Sequence, residues 1–396
     1  MTERLYYADS YLTSFDADVV GRRSIAGGHA VELSRTAFYP TSGGQPHDVG
    51  TLDGAQVVDV REEDGRVLHI VDAPLSGRVH GVIDWARRFD HMQQHTGQHI
   101  LSQAALRTAG APTRSVHFGA DASTLDLDRA DLNRAEADAL EDLANAVVVE
   151  NRPVVVREAD ETELPALGLR RPAKRTGSIR VVEVEDFDRS ACGGTHVRRT
   201  GEIGAIRVRR WERHRGGVRL EFLCGWRALR DHRRAHALLS ALSAALTVAE
   251  AEVPEAVARL TAQLRSQERT LDDLRARLLS RDAADLLAAA EGDHPRLVAT
   301  VVAYPPEDAA ALAGALAASP SCVAIIGASS GRLVLARSAD VALDARAALA
   351  QALGPYGGRG GGRSEFAQGA VPAGRIADAV QSARAIVRRR LEAPGG

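Results

Sequence analysis

Lysine is almost missing from this chain: of 50 basic residues, 49 are arginine and one, Lys174, is not. Such a bias, in a chain equally heavy in alanine, reads as coding preference, so an arginine cluster is weak evidence of a phosphate site. Nor is either sign of charge in excess. With 50 Lys and Arg against 52 Asp and Glu, the formal net charge is −2, which excludes a global basic field and leaves any nucleic-acid argument to local patches. Cysteine is scarce too. Cys192, Cys224 and Cys322 are odd in number and far apart, which argues against a disulfide framework and fits a reducing compartment; a cysteine with a special role is then a ligand or a nucleophile. No apolar run reaches the roughly 18 residues of a membrane span, and the opening MTERLYYADS lacks the basic-then-apolar order of a signal peptide. These absences predict a cytoplasmic protein with no membrane partner.

What is present suits a soluble chain of two or three domains, with 396 residues, 45% hydrophobic and 26% charged. The expected fold class is α+β multidomain. Residues 1–88 carry short alternating runs such as HAVELSRTAFYP and AQVVDVREEDG, broken by glycine at turn spacing, and predict a small β-barrel or compact antiparallel sheet. Over 89–225 the pattern is α+β. A helix begins near Arg87 and ends at Gly110, SVHFGADASTLDLD predicts a hairpin, and a second helix opens with a capping Asp131. Residues 226–290 are helical. Val253, Val257, Leu260, Leu264, Leu271, Leu274 and Leu278 keep alternating four- and three-residue steps if Gln267 fills the gap, a coiled-coil pattern compatible with a two-helix hairpin or a homodimer. Over 291–396 strands and helices alternate, interrupted by GPYGGRGGGRSEFAQGA. That stretch is either a flexible loop or a place where Arg359 and Arg363, interleaved with Gly360 and Gly361, approach a phosphate closely.

Chemistry concentrates in two segments. In DHMQQHTGQH, His95 and His99 stand four residues apart on one helical face and can aim two imidazoles at one point; His91, a turn earlier, is aligned with them. A lone pair of histidines at this spacing arises readily by chance. The discriminating segment is ACGGTH, where Cys192 and His196 flank two glycines and a threonine, so a tight loop can turn a thiolate and an imidazole inward to make a Cys-His₃ zinc site. HTGQH lacks the glutamate of a zinc protease, and the deaminase signature is missing. Four protein ligands ordinarily close the coordination sphere, whereas hydrolysis by zinc-bound water needs an open position; the sequence leaves both readings standing.

HTGQH and CGGTH, preceded by RTAFYPTSGGQPHDVG and followed by GGRGGGRSEFAQG, resemble the alanyl-tRNA editing proteins of the long AlaX type, freestanding relatives of the editing region of alanyl-tRNA synthetase. The likeness covers nearly the whole chain in the expected order, its last part resembling a DHH-associated domain that grips tRNA. It implies that His95, His99, Cys192 and His196 hold Zn²⁺, and that the substrate is tRNA(Ala) mischarged with serine or glycine, hydrolysed at the aminoacyl ester. A pocket sized for alanine cannot exclude glycine and rejects serine poorly, so a second hydrolytic site is needed. By the same resemblance Thr36 lies near the amino-acid side chain, Gly43, Gly44 and Gln45 face the cleft, and Thr96 can bond a substrate carbonyl or water. Where the synthetase branch has a glutamine, this chain offers Ser115 and His117. The basic segments around Lys174 and Arg210, with Arg359 and Arg363, are the candidate tRNA contacts. With the barrel pattern starting in the first ten residues and no aminoacylation segment, the chain is expected to act in trans.

Overall fold

A strand that alternates apolar and polar residues buries one face, and the first 88 residues satisfy that by closing on themselves. A computed structural model describes residues 2–26, 28–160, 162–172, 177–290 and 295–392. A short parallel pair, β1 (Glu3–Arg4) with β4 (Arg35–Thr36), and a one-turn helix α1 (Leu5–Ala8) lead in. Six strands then form a closed barrel: β2 (Ser14–Ile25), β3 (Gly28–Leu33), β5 (Gly50–Leu52), β6 (Ala55–Glu63), β7 (Arg66–Val71) and β8 (Arg78–Ile83), in the order β2-β3-β7-β6-β5-β8. Phe15, Val31, Leu33, Phe38, Leu52, Val60 and Val71 fill it.

The barrel passes directly into α2 (Trp85–Ala109), capped by Asp84 on the backbone N–H of Arg87 and ended by Gly110 in the left-handed conformation. In its first turn Arg88 is fully buried. Its Nε donates to both oxygens of Asp48 at 3.0 and 3.1 Å, and Nη1 and Nη2 reach the carbonyls of Ser10 (2.7 Å) and Ala37 (2.6 Å). One guanidinium thus ties three barrel segments to the helix.

Behind α2 lies a four-stranded sheet of β9 (Thr113–Phe118), β10 (Ser123–Leu127), β14 (Ile206–His214) and β15 (Gly217–Cys224), with α3 (Arg134–Val149) packed beside it. The expected β9–β10 hairpin is present. The cap of α3 is not Asp131 but Asn133, two residues on, because Asn133 and Glu136 bond each other's backbone N–H in a reciprocal capping box. A three-stranded sheet, β11 (Val154–Ala159), β12 (Ile179–Val184) and β13 (Asp188–Ala191), delivers the cysteine loop. Helix α4 (Trp226–Leu246) follows.

Contacts divide the chain into two compact units, 1–245 and 246–396. The second contains α5 (Val253–Ala288), along which Val257, Leu260, Leu264, Leu271, Leu274 and Leu278 are exposed. It continues into a five-stranded sheet of β16 (Arg296–Val302), β17 (Cys322–Ala328), β18 (Arg332–Arg337), β20 (Phe366–Ala370) and β19 (Arg359–Gly362), in the order β16-β17-β18-β20-β19. Helix α6 (Pro306–Ala317) packs with one set of sheet residues, and α7 (Ala345–Leu353) and α8 (Ile376–Glu392) with the alternate set. The glycine-rich stretch is therefore no loop. Arg359, Gly360 and Gly361 form an exposed edge strand, paired Gly360 to Gly369 and Gly361 to Gln368, with Arg363 just past its end.

Candidate metal centre

Two adjacent turns of α2 supply His95 and His99, and the loop after β13 supplies Cys192 and His196. The four ligand atoms all lie within 4.8 Å of one another. Cys192 Sγ is 3.3 Å from His95 Nε2 and 3.3 Å from His196 Nε2. All three imidazoles are buried and their rings sit edge-on or tilted, with centroids 4.5–5.3 Å apart.

The far nitrogen of each ring also has a polar neighbour. His95 Nδ1 donates to Gln45 Oε1 at 2.8 Å, His196 Nδ1 lies 3.1 Å from Thr96 Oγ1, and His99 Nδ1 stands 3.3 Å from Asp188 Oδ2. Gln45 and Asp188 offer those nitrogens only acceptors, so Nδ1 of His95 and His99 carries the proton and the Nε2 lone pair faces the cluster, the arrangement metal-binding histidines adopt. These partners are themselves anchored. Gln45 is held by the backbone N–H and hydroxyl of Thr195, and Asp188 by Arg170 (2.7 Å) and Ser190 (2.9 Å).

Close packing dictates the second of the two glycines. A Cβ on Gly194 would come within 2.2 Å of the His95 ring, so only glycine lets the loop pass between the ligands. The same loop is braced by Arg180 of β12, whose Nη1 donates to the carbonyls of Cys192 (2.9 Å) and Gly194 (2.8 Å).

Electrostatics favour a thiolate. Burial alone would raise the Cys192 thiol, but His95 and His196 outweigh it and hold the group well below its ordinary value. Burial lowers His99, yet Asp188 and Cys192 override this and raise it to about 9, while burial and then His95 push His196 down to about 3. Three imidazole nitrogens and a thiolate, converging and oriented from behind, fit a zinc ion in ligand type and number.

The other predicted residues fall differently. Thr96 is fully buried and bonds His196 and the Val197 N–H. Gly43 and Gly44 form the turn between Ser42 and Gln45 with φ of 57° and 87°, and Gln45 acts through its side chain on His95 rather than through its backbone. Thr36 is buried in the barrel, and its hydrogen bonds run to His69 Nε2 (2.8 Å) and from the Phe38 N–H (3.0 Å), none to the metal residues. Ser115 and His117 do not replace the missing glutamine: they project from the face of β9 opposite to Phe118, whose ring lies 5.0 Å from His95, and Ser115 donates instead to Asp126 at 2.6 Å. Lys174 lies outside the described residues. Around Arg210 most of the arginines are committed to carboxylates, Arg209 and Arg210 to Glu221 and Arg213 to Asp131. Sequence reasoning missed Asp188, Arg170 and Arg180, and no local signal marks them.

Comparison with known proteins places this arrangement. Residues 179–221 match the "Threonyl and Alanyl tRNA synthetase second additional domain" and residues 294–390 the "DHHA1 domain". The class is thus that of the editing domains associated with aminoacyl-tRNA synthetases. Alanyl-tRNA editing protein AlaX-L of Pyrococcus horikoshii is 31% identical over 94% of this chain and 95% of its own length. Alanine–tRNA ligase of Archaeoglobus fulgidus is 34% identical over 93% of this chain, which spans 42% of that ligase. AlaX-M of Methanosarcina acetivorans is 37% identical over 52% of this chain and 92% of its own length. The chain belongs to the alanyl-tRNA editing protein family.

Proposed function

We propose that this protein is a zinc-containing deacylase that acts in trans on mischarged tRNA(Ala), hydrolysing the ester between serine or glycine and the terminal ribose. The observation that carries the reading is the convergence of His95, His99, Cys192 and His196, each imidazole oriented from behind, in a chain similar to AlaX-L from end to end. A zinc ion held there supplies positive charge to polarise an ester carbonyl or to order the terminal nucleotide.

Substrate choice falls to Thr36. His69 Nδ1 lies 3.1 Å from the Val31 carbonyl, an acceptor, so Nδ1 carries the ring proton and Nε2 must accept from the Thr36 hydroxyl. Its proton so committed, Thr36 has acceptor capacity left. The Phe38 N–H takes one lone pair; the other suits a hydroxyl donor such as that of serine, which separates serine from alanine and does not bear on glycine. The exposed Arg359 and Arg363 beside Gly360 and Gly361 are proposed contacts to the tRNA body, and the exposed leucine row of α5 a proposed homodimer seam.

A second reading, a tRNA-binding protein with a purely structural zinc, draws on the count of four protein ligands, which closes a tetrahedral site. Hydrolysis of labelled Ser-, Gly- and Ala-tRNA(Ala) by one zinc-assayed sample separates the two. Release of serine or glycine with alanine retained is the expected result; three intact esters alongside bound tRNA would establish the structural reading instead.

A further inference from the structure

Two of the cavities among the described residues of 1–245, beyond the metal residues, differ in charge. The larger, about 900 Å³, has three arginines and three carboxylates in its wall, and Arg207 and Arg209 there are paired with Asp231. The smaller, about 760 Å³, carries three arginines against one aspartate.

In the smaller cavity the rings are as informative as the charge. Trp85 and Phe89 project from the first turns of α2 with centroids 5.2 Å apart and an interplanar angle of 34°, and Trp226, at the start of α4, is 57% exposed. Arg227 is spent on Asp90 and the Gly119 carbonyl. Arg230, by contrast, is exposed with no ion pair among the described residues, and Arg87 uses only Nε, on the His47 carbonyl at 2.9 Å. His91 is 6% exposed, lines the cavity, and its Nδ1 is buried without a partner. Burial, with Arg87 adding to it, lowers His91 to about 4, so at neutral pH the ring is uncharged.

Three wall residues adjoin the metal centre. His91 stands one turn, about 6 Å, before His95 on the same helical face; Pro46 follows Gln45; Gly119 follows Phe118, which touches His95. A chain whose last nucleotide is held at the cluster would reach this cavity with the nucleotides just before it.

We propose that this cavity binds the single-stranded nucleotides that precede the terminal adenosine of the tRNA, their bases stacking on Trp85 and Trp226 and their phosphates facing Arg87 and Arg230. Aromatic faces interleaved with unpaired arginines are how proteins hold single-stranded RNA, because every base has a face to stack and every link a phosphate. This rests on the tRNA-directed function proposed above, and fails separately from it.

The test uses the full-length, zinc-loaded protein and uncharged RNA tetranucleotide ACCA, with affinity read by anisotropy of a 5′-labelled probe across a salt series. Trp226→Ala should weaken ACCA about tenfold or more. Arg230→Glu should weaken it and flatten the slope of log affinity against log salt by about 0.7, one phosphate's worth on a single strand. Both side chains are exposed, so folding is checked simply by unchanged thermal midpoint and zinc content. A tetramer of abasic sugar-phosphate should bind wild-type protein and W226A alike. If ACCA affinity is the same in wild type, W226A, R230E and the double variant, or if ACCA does not bind, the subsite is wrong, even where wild-type protein hydrolyses Ser-tRNA(Ala). If all esters stay intact but ACCA binding is lost in the variants, the subsite stands and the deacylase reading falls.

Discussion

Two helices of this protein carry histidines four residues apart, and only one pair is built as a site. On α2, His95 and His99 are buried, tilted 60° to each other, and held from behind by Gln45 and Asp188. On α4, His232 and His236 are exposed and stack at 6.4 Å with their rings nearly parallel, 9° apart. Spacing is the same in both; what marks the first is that two more ligands and a set of acceptors fold in on it from residues 45 to 196. Another histidine, His69, sharpens the point. It is buried and bonded at both nitrogens, to Thr36 and Val31, and has no thiolate or second imidazole beside it. Burial and orientation without convergence make a structural histidine.

The largest effect that can break this contrast comes from the ligands. His95→Ala or Cys192→Ala should take zinc, measured by atomic absorption, from about one per chain to none, and lower deacylation of Ser-tRNA(Ala) at least about a hundredfold. Retention of zinc in both variants would mean the ion sits elsewhere. Next come the orienting groups: Asp188→Asn or Gln45→Ala should leave the fold intact and lower zinc affinity about 10- to 100-fold in a chelator competition. Zinc affinity equal to wild type would reduce the α2 pair to the level of the α4 pair.

His69 gives the third comparison, through pH. Burial depresses it to about 4 from an unfolded value of about 6.5, so the unfolded chain takes up the proton first as pH falls. Stability from this group is present above about pH 6.5 and declines towards pH 4, by about 3 kcal/mol in all. Urea unfolding of chelator-treated protein between pH 7.5 and 4.5 should show that loss in wild type and a smaller one in His69→Asn. Smallest of all, the double variant His232→Ala with His236→Ala should change zinc content not at all and stability by no more than about 0.5 kcal/mol.

Periodicity made the backbone of this contrast legible. The 3.6-residue pattern and Gly110 place α2 to within two residues, and the C-G-G-T-H loop identifies the second half of the cluster because glycine there has a steric reason, the His95 ring. Partners far away in sequence were harder to read: Gln45 was a candidate for the cleft but its bond to His95, 50 residues on, left no sign, and Asp188 is an ordinary strand residue until β13 brings it to His99. Strands β11 and β13 are short and left no clear period. Edge strand β19 escaped for another reason: Gly360 and Gly361 have no side chains to alternate, so a paired strand reads as a loop. Ser115 and His117 failed on parity, since one strand position decides which face a side chain shares with Phe118.

Arg88 carries a practical consequence for anyone who wishes to reshape this molecule. Because its guanidinium spans Ser10, Ala37 and Asp48, a barrel grafted in without an equivalent of Asp48 would leave a buried cation unpaired, a defect of about 3–5 kcal/mol. The barrel is therefore not a freely exchangeable accessory. Tags and insertions belong instead at outlying turns such as Asp64–Gly65, which are exposed and bear no such obligation.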